Sequence, residues 1–190
     1  MVPTPDGPPR RRSDAERNRE RILAAARGLL ADHCGDVSMA QVARQAGVSM
    51  ATLYRNYSGR RELLEGLYAK EVDDLCRAAQ EACGPAGEAL HTWLHRFVVF
   101  HENKHPIAAE LLRHMDTADP VFGSSRDRVI TAGRPLLLAA QRTQDARTDL
   151  TIEQVLDLVL AVITVSADRS YVEPILRAAL DGLRGEAPLT

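Results

Sequence analysis

Apolar side chains recur every three to four positions along this chain, and no stretch alternates at period two for long, so the sequence reads as helical throughout. Ile22, Ala26, Leu29 and Leu30 define the apolar face of a first helix expected over about residues 13–33. Ser38-Met39-Ala40-Gln41 has the form of a capping box opening a short helix to Ala46, with Met39, Val42, Ala43 and Ala46 on its buried face. Gly47 follows, a residue able to take positive φ at the helix end. Ser49 can then cap a third helix over about 50–57. Ser58-Gly59 interrupts, and a long fourth helix begins near Arg60 with Leu63, Leu64, Leu67, Val72 and Leu75 on its buried stripe.

The run Gly84-Pro85-Ala86-Gly87 marks a clear break. Beyond it the pattern predicts helices at about 87–102, 106–115, 121–143, 151–167 and 171–184. Pro106 separates the first two, because the residue before a proline is biased away from α geometry. Pro120 and Pro174 fall at or near helix starts, where proline is tolerated. The reading is all-α, about nine helices in all: a compact N-terminal bundle followed by a larger helical domain.

Composition narrows the class. Hydrophobic residues at 45% and charged residues at 26% are ordinary globular values, which exclude wholesale disorder. The three cysteines, Cys34, Cys76 and Cys83, form no C-x-x-C pair, so neither a disulfide framework nor a cysteine-built zinc module is expected. Leu150 to Val165 is the most apolar stretch, but Glu153, Gln154 and Asp157 interrupt it, so no membrane span is expected. The N-terminus lacks the apolar region of a secretory signal, and a cytoplasmic protein is expected.

The net charge of -2 argues weakly against a nucleic-acid partner until it is divided along the chain. Residues 1–70 carry 12 basic side chains against 8 acidic, and the remainder 12 against 18, so only the N-terminal part suits a polyanion. Residues 1–13, with Pro3, Pro5, Pro8, Pro9 and the run Arg10, Arg11, Arg12, read as a disordered basic arm that can lie along a DNA backbone or in a minor groove. The ordinary alternative for such a run is a solvated tail.

The third helix, Ser49 to Tyr57, has only Leu53 as an obvious core anchor. Its other side chains suit a helix presented to DNA: Ser49, Thr52 and Tyr54 for phosphates, Arg55 for phosphate or guanine, Met50 for a thymine methyl. Tyr57 reads instead as a core aromatic. Arg60 and Arg61 stand at the start of the next helix, beside backbone N–H groups that favour an anion.

Residues 15–68 resemble the DNA-binding domain of the TetR family of bacterial transcriptional repressors. The carrying stretches are Val42-Ala43-Arg44-Gln45-Ala46-Gly47-Val48-Ser49, Thr52-Leu53-Tyr54-Arg55-Asn56-Tyr57 and Arg60-Arg61-Glu62-Leu63-Leu64. The resemblance implies that Arg60 stands where the family has a phosphate-binding lysine and that Tyr54 lies on the DNA backbone. The family usually has a threonine near Met39; Ser38 and Gln41 are the candidates to take its place. It implies a helix-turn-helix domain over 14–68, a regulatory and dimerisation domain over 69–190, a double-stranded operator, a homodimer and an unidentified small-molecule effector, with no cofactor.

Two helices over 150–184 are too apolar for a simple surface face, which points to a partner subunit. Val155, Val159, Ile163, Ile175, Leu176 and Leu180 are the expected dimer contacts. Trp93, Phe97, Phe100, His101, Met115 and Phe122 gather the aromatic and soft side chains of the middle helices, as an effector pocket or as plain core.

One motif points to a different class. His101-Glu102-Asn103-Lys104-His105 spells H-E-x-x-H, the helical signature of zinc peptidases. Pro106 after the second histidine, Lys104 inside the motif and the lack of a third ligand at a recognised spacing weigh against a metal-dependent hydrolase. The pairs His91/His95 and His101/His105 leave metal sensing open, with a polar rim as the alternative. A hydrolase built on Cys34 and a helical adaptor without DNA binding complete the competing readings.

Overall fold

The computed structural model describes residues 9–32, 37–112, 120–166 and 168–185, with side chains over 14–31, 37–102, 124–166 and 168–185. Eight α-helices run through them: α1 (Pro9–Asp32), α2 (Met39–Ala46), α3 (Met50–Asn56), α4 (Arg60–Gln80), α5 (Ala86–Leu112), α6 (Pro120–Arg142), α7 (Ile152–Ile163) and α8 (Arg169–Asp181). The fold is all-helical, as expected.

Several boundaries differ from expectation. Helix α1 starts at Pro9, so residues 9–13 are helical rather than part of a disordered arm. Proline at the first helical position forfeits no hydrogen bond, which lets the helix begin there. The two helices expected on either side of Pro106 are one, because α5 is continuous over Ala86–Leu112. The missing donor and the preference at the preceding residue cost about 3 kcal/mol. A helix already propagated through five turns can absorb that. Pro174 lies inside α8, whose start is set by Asp168, the Oδ1 of which accepts from the Ser170 N–H at 2.9 Å. Helix α4 ends at Gln80, with half-buried Cys76 on it and exposed Cys83 beyond it.

The chain divides into two compact units, Met1–Ala69 with His105–Met115, and Lys70–Lys104 with Asp116–Thr190. In the first, α1 packs on α2 and α2 on α3. Ile22, Ala26, Leu30, Val42, Ala43, Leu53, Leu63, Leu64 and Leu67 are buried there, the helical stripes read from the sequence. In the second, α6 packs on α7 and α7 on α8, around Leu94, Phe97, Leu137, Ile152, Leu156 and Val159. Ion pairs Arg126–Asp157 and Arg134–Glu153 link α6 to α7 on the surface, and exposed pairs of this kind are worth about 0–1 kcal/mol each. The apolar burial dominates. No helix among the described residues is long and apolar enough to cross a membrane.

Candidate nucleic-acid interface

The turn between α2 and α3 is built from local hydrogen bonds. The Ser38 hydroxyl accepts from the Gln41 N–H at 3.2 Å, and the Gln41 side chain accepts from the Ser38 N–H at 2.8 Å. The Ser38 hydroxyl also donates to the Gln41 Oε1 at 2.8 Å, so both residues are engaged in the predicted capping box. Gly47 ends α2 at φ 62°, ψ 38°, the left-handed conformation that disfavours any residue with a Cβ. Two residues later Ser49 caps α3 by accepting from the Thr52 N–H at 3.1 Å. Its hydroxyl also lies 2.9 Å from the Thr52 Oγ1, to which Arg55 donates at 3.0 Å. This chain of bonds fixes Arg55 along the exposed side of α3.

Only Leu53 of α3 is buried. Met50 is 39% and Tyr54 50% exposed, an apolar thioether and an aromatic ring held in water on a two-turn helix. Arg55 and Ser49 are exposed, Thr52 half-buried. Tyr57 is wholly buried, the core aromatic that the sequence suggested. Burial pushes its phenol above the ordinary value near 10, with the Arg19 guanidinium opposing the shift. Half-buried Arg60 opens α4, where Ser58 donates its N–H to the Glu62 carboxylate at 2.6 Å and holds that carboxyl below its usual range. The structure thus brings Ser49, Met50, Tyr54 and Arg55 onto the exposed part of one helix. Arg10, Arg11 and Arg12 fall in the first turns of α1, and their side chains lie outside the described residues.

Sequence reasoning missed the fastenings of this motif. Arg21 of α1 donates to the Gly47 carbonyl at 3.3 Å. Tyr57 lies so close to α4 that a Cβ on Gly66 would stand 2.7 Å from its ring. The glycine inside α4 was the available signal, since an interior helical glycine often marks close approach.

Among the expected pocket residues, Trp93, Phe97 and Phe100 are buried and His101 half-buried, while the Met115 and Phe122 side chains lie outside the described residues. Their rings form a row along α5: Trp93 to Phe97 6.3 Å between centroids, Phe97 to His101 5.7 Å, Phe100 to His101 6.2 Å. Trp93 is fully engaged, donating its indole N–H to the Leu75 carbonyl at 3.1 Å. A pocket of about 590 Å³ opens elsewhere in the same unit, lined in part by Leu90, His91, Leu94, Asp145, Leu180 and Arg184.

Among the expected dimer contacts, Val155, Val159, Leu176 and Leu180 are buried within the single chain, because α7 and α8 pack against each other. Ile163 is half-buried and Ile175 is 37% exposed. The large apolar side chains left in water on or beside these helices are Leu158, Val165, Tyr171 and Ile175.

The H-E-x-x-H stretch lies on continuous helix, so the break expected at Pro106 is absent. Glu102, however, sits 3.5 Å from Arg169 in an ion pair, and His101 packs edge-on against Phe97. His105 lies outside the described side chains. His91 and His95 meet ring to ring at 4.6 Å, and burial lowers the His91 pKa, with His95 and Arg184 adding to the effect. Among the described residues no three His, Cys, Asp or Glu side chains gather to hold a metal.

Similarity to known proteins agrees with this geometry. Residues 22–67 match the model of bacterial regulatory proteins of the tetR family, and residues 85–185 match that of the SbtR-like transcriptional regulator C-terminal domain. The crystal structure of the TetR transcriptional regulator SCO0520 from Streptomyces coelicolor is similar at TM-score 0.78 and 32% identity, covering 89% of this chain and 99% of that one. A TetR regulatory protein from Mycobacterium vanbaalenii is similar at TM-score 0.76 and 26% identity, over 91% and 98%. The HTH-type transcriptional repressor LfrR of Mycolicibacterium smegmatis is 40% identical over 83 residues, which span 44% of this chain and 43% of LfrR. The LfrR structure in complex with proflavine shares the fold at TM-score 0.60 and 24% identity, over 90% of this chain and 98% of that one. With more than half its length matched by the C-terminal model and its helix-turn-helix by the N-terminal one, the chain belongs to the TetR family of bacterial transcriptional regulators.

Proposed function

We propose that this regulator is a cytoplasmic homodimeric repressor that holds a palindromic operator through α2 and α3 and is released by a small-molecule effector. The observation that carries the reading is α3 itself. A seven-residue helix that buries one side chain and holds Met50, Tyr54 and Arg55 in solvent makes physical sense when another surface covers them. In B-DNA, Tyr54, Arg60, Ser38 and Gln41 would meet phosphates, while Arg55 and Met50 would reach base edges in the major groove. Arg10, Arg11 and Arg12 would add phosphate contacts, and Ser49 and Thr52 would hold Arg55.

One such helix reads only a few base pairs. Two of them about 34–36 Å apart read successive major grooves, which requires a dimer. On α7 Leu158 and Ala161, continued by Val165 just past its end, form an exposed stripe, and on α8 Tyr171, Ile175 and Ala178 form another. A second copy packed on these stripes would remove them from water, with Ile163 at their margin. Val155, Val159, Leu176 and Leu180 would support those stripes from within the protomer.

For the effector the reading rests on the aromatic row of Phe97, Phe100 and His101, a composition suited to stacking on a flat aromatic molecule, with Met115 and Phe122 as the further candidates. LfrR in complex with proflavine supports that class of ligand. Effector and operator would be coupled by favouring different states of the chain. The reading gives Glu102 a structural partner, Arg169, and assigns the chain no catalysis.

The test is fluorescence anisotropy on the DNA upstream of the protein's own gene. Tyr54→Ala and Arg60→Ala are each expected to weaken binding by about 1–3 kcal/mol. Unchanged affinity in both variants overturns the reading.

A further inference from the structure

Helix α3 is too short and too little buried to hold its own orientation. Isolated helices under about 12 residues are marginal in water, and α3 has seven residues with Leu53 as its core anchor. Its direction must come from its ends. At the leading end, Gly47 turns the chain at φ 62° and its carbonyl accepts from Arg21 Nη2 at 3.3 Å. The glycine is needed for its positive φ, at which a Cβ would be strained; a Cβ there would also stand 2.7 Å from the same Arg21 nitrogen and displace the guanidinium. Only Val48 separates Gly47 from Ser49, the cap of α3. At the trailing end, Tyr57 caps α3 by donating its N–H to the Leu53 carbonyl at 2.9 Å. The Arg19 guanidinium lies over the Tyr57 ring, 5.0 Å from its centroid. Two arginines, two positions apart on α1, therefore engage the two ends of the same short helix.

We propose that Arg19 and Arg21 are positioning residues for α3, setting the orientation in which Tyr54 and Arg55 are presented, rather than phosphate contacts. The proposal rests on the reading of α3 as the DNA-reading helix. A guanidinium in a DNA-binding unit ordinarily suggests a phosphate partner, and the two roles differ in a measurable way. Each phosphate contact adds about 0.9 to the slope of log affinity against log salt, whereas a contact made inside the protein adds nothing.

The experiment uses the full chain with Arg19→Met and Arg21→Met, and Arg19→Lys and Arg21→Lys as rescue variants. In free protein, amide exchange followed by mass spectrometry is expected to accelerate about tenfold over residues 47–57 in each methionine variant. Peptides from α1, α4, α7 and α8 should exchange unchanged, and the lysine variants should recover most of the protection, since lysine keeps a donor and a cation. On upstream DNA, affinity should fall about tenfold with the salt slope unchanged. Unchanged exchange over 47–57, or acceleration spread equally through α1 and α4, overturns the proposal. So does a slope reduced by about one. If the unsubstituted protein fails to bind DNA, the reading of α3 falls, while the exchange measurement still decides whether the arginines orient it.

Discussion

The indole of Trp93 occupies the space in which a side chain at Gly133 would begin: a Cβ at that position of α6 would overlap the Cη2 and Cζ3 atoms of the ring. The opposite requirement is met at the pyrrole edge, where the indole N–H reaches the Leu75 carbonyl of α4 at 3.1 Å. One residue of α5 thus joins α4 and α6, and it fits because α6 carries a glycine in its interior.

Gly133→Ala should therefore destabilise the protein even though alanine is the better helix former. Helix propensity favours the change by about 1 kcal/mol, and the forced displacement of a buried indole opposes it by about 1–3 kcal/mol. Chemical denaturation is expected to show a net loss. Adding Trp93→Phe, which shortens the ring, should remove most of the Gly133→Ala penalty while costing the bond to Leu75. Strictly additive effects in the double variant would contradict the contact.

Tyr57 makes stability depend on alkaline pH. Its phenol is raised above about 10 by burial, so the folded state holds the proton more tightly than the unfolded chain. The associated stability is complete below pH 10 and is lost as pH rises from there through the folded pKa. Phenylalanine removes that dependence. It also removes a buried hydroxyl oxygen that has no well-aligned hydrogen-bond partner among the described residues, with only the Arg19 guanidinium nearby, and an unsatisfied buried group costs up to about 1–3 kcal/mol. Tyr57→Phe should then keep or raise stability at pH 7 and flatten the decline above pH 10. Thermal melts at pH 7 and 10.5 check both.

The two faces of α7 should respond differently to a charge. Val159 is fully buried inside the protomer, so Val159→Asp is expected to unfold the second unit, seen as lost helical circular dichroism. Leu158 is 39% exposed, so Leu158→Asp should leave the helices intact and, with Ile175→Asp on α8, yield a folded monomer by light scattering. A dimer that survives the Leu158→Asp, Ile175→Asp pair would place the contact elsewhere.

Most of the helix-turn-helix was legible in the sequence because its determinants are local. Ser38 and Gln41, Gly47, and Ser49 with Thr52 act over three or four residues, and such caps depend on backbone geometry that the same residues create. The exposure of Met50, Tyr54 and Arg55 around the single anchor Leu53 was read from the side-chain types of α3, and that of Tyr54 also from the family resemblance. Less was legible in the second unit. Helix α7 is apolar on most sides, and nothing in its pattern tells a valine packed on α8 from a leucine left in water.

What the chain by itself determined is its helical class, the capped turn and the short helix that follows it, since capping and amphipathic periodicity are properties of consecutive residues. The tertiary structure alone decided that α5 continues past Pro106, that Val159 faces inward while Leu158 faces out, and that Arg19, Arg21 and Trp93 are engaged within the protein. Each of these depends on which distant side chain lies alongside, Gly47 for Arg21 or Gly133 for Trp93, and packing between elements sets that choice where intrinsic preferences leave it open.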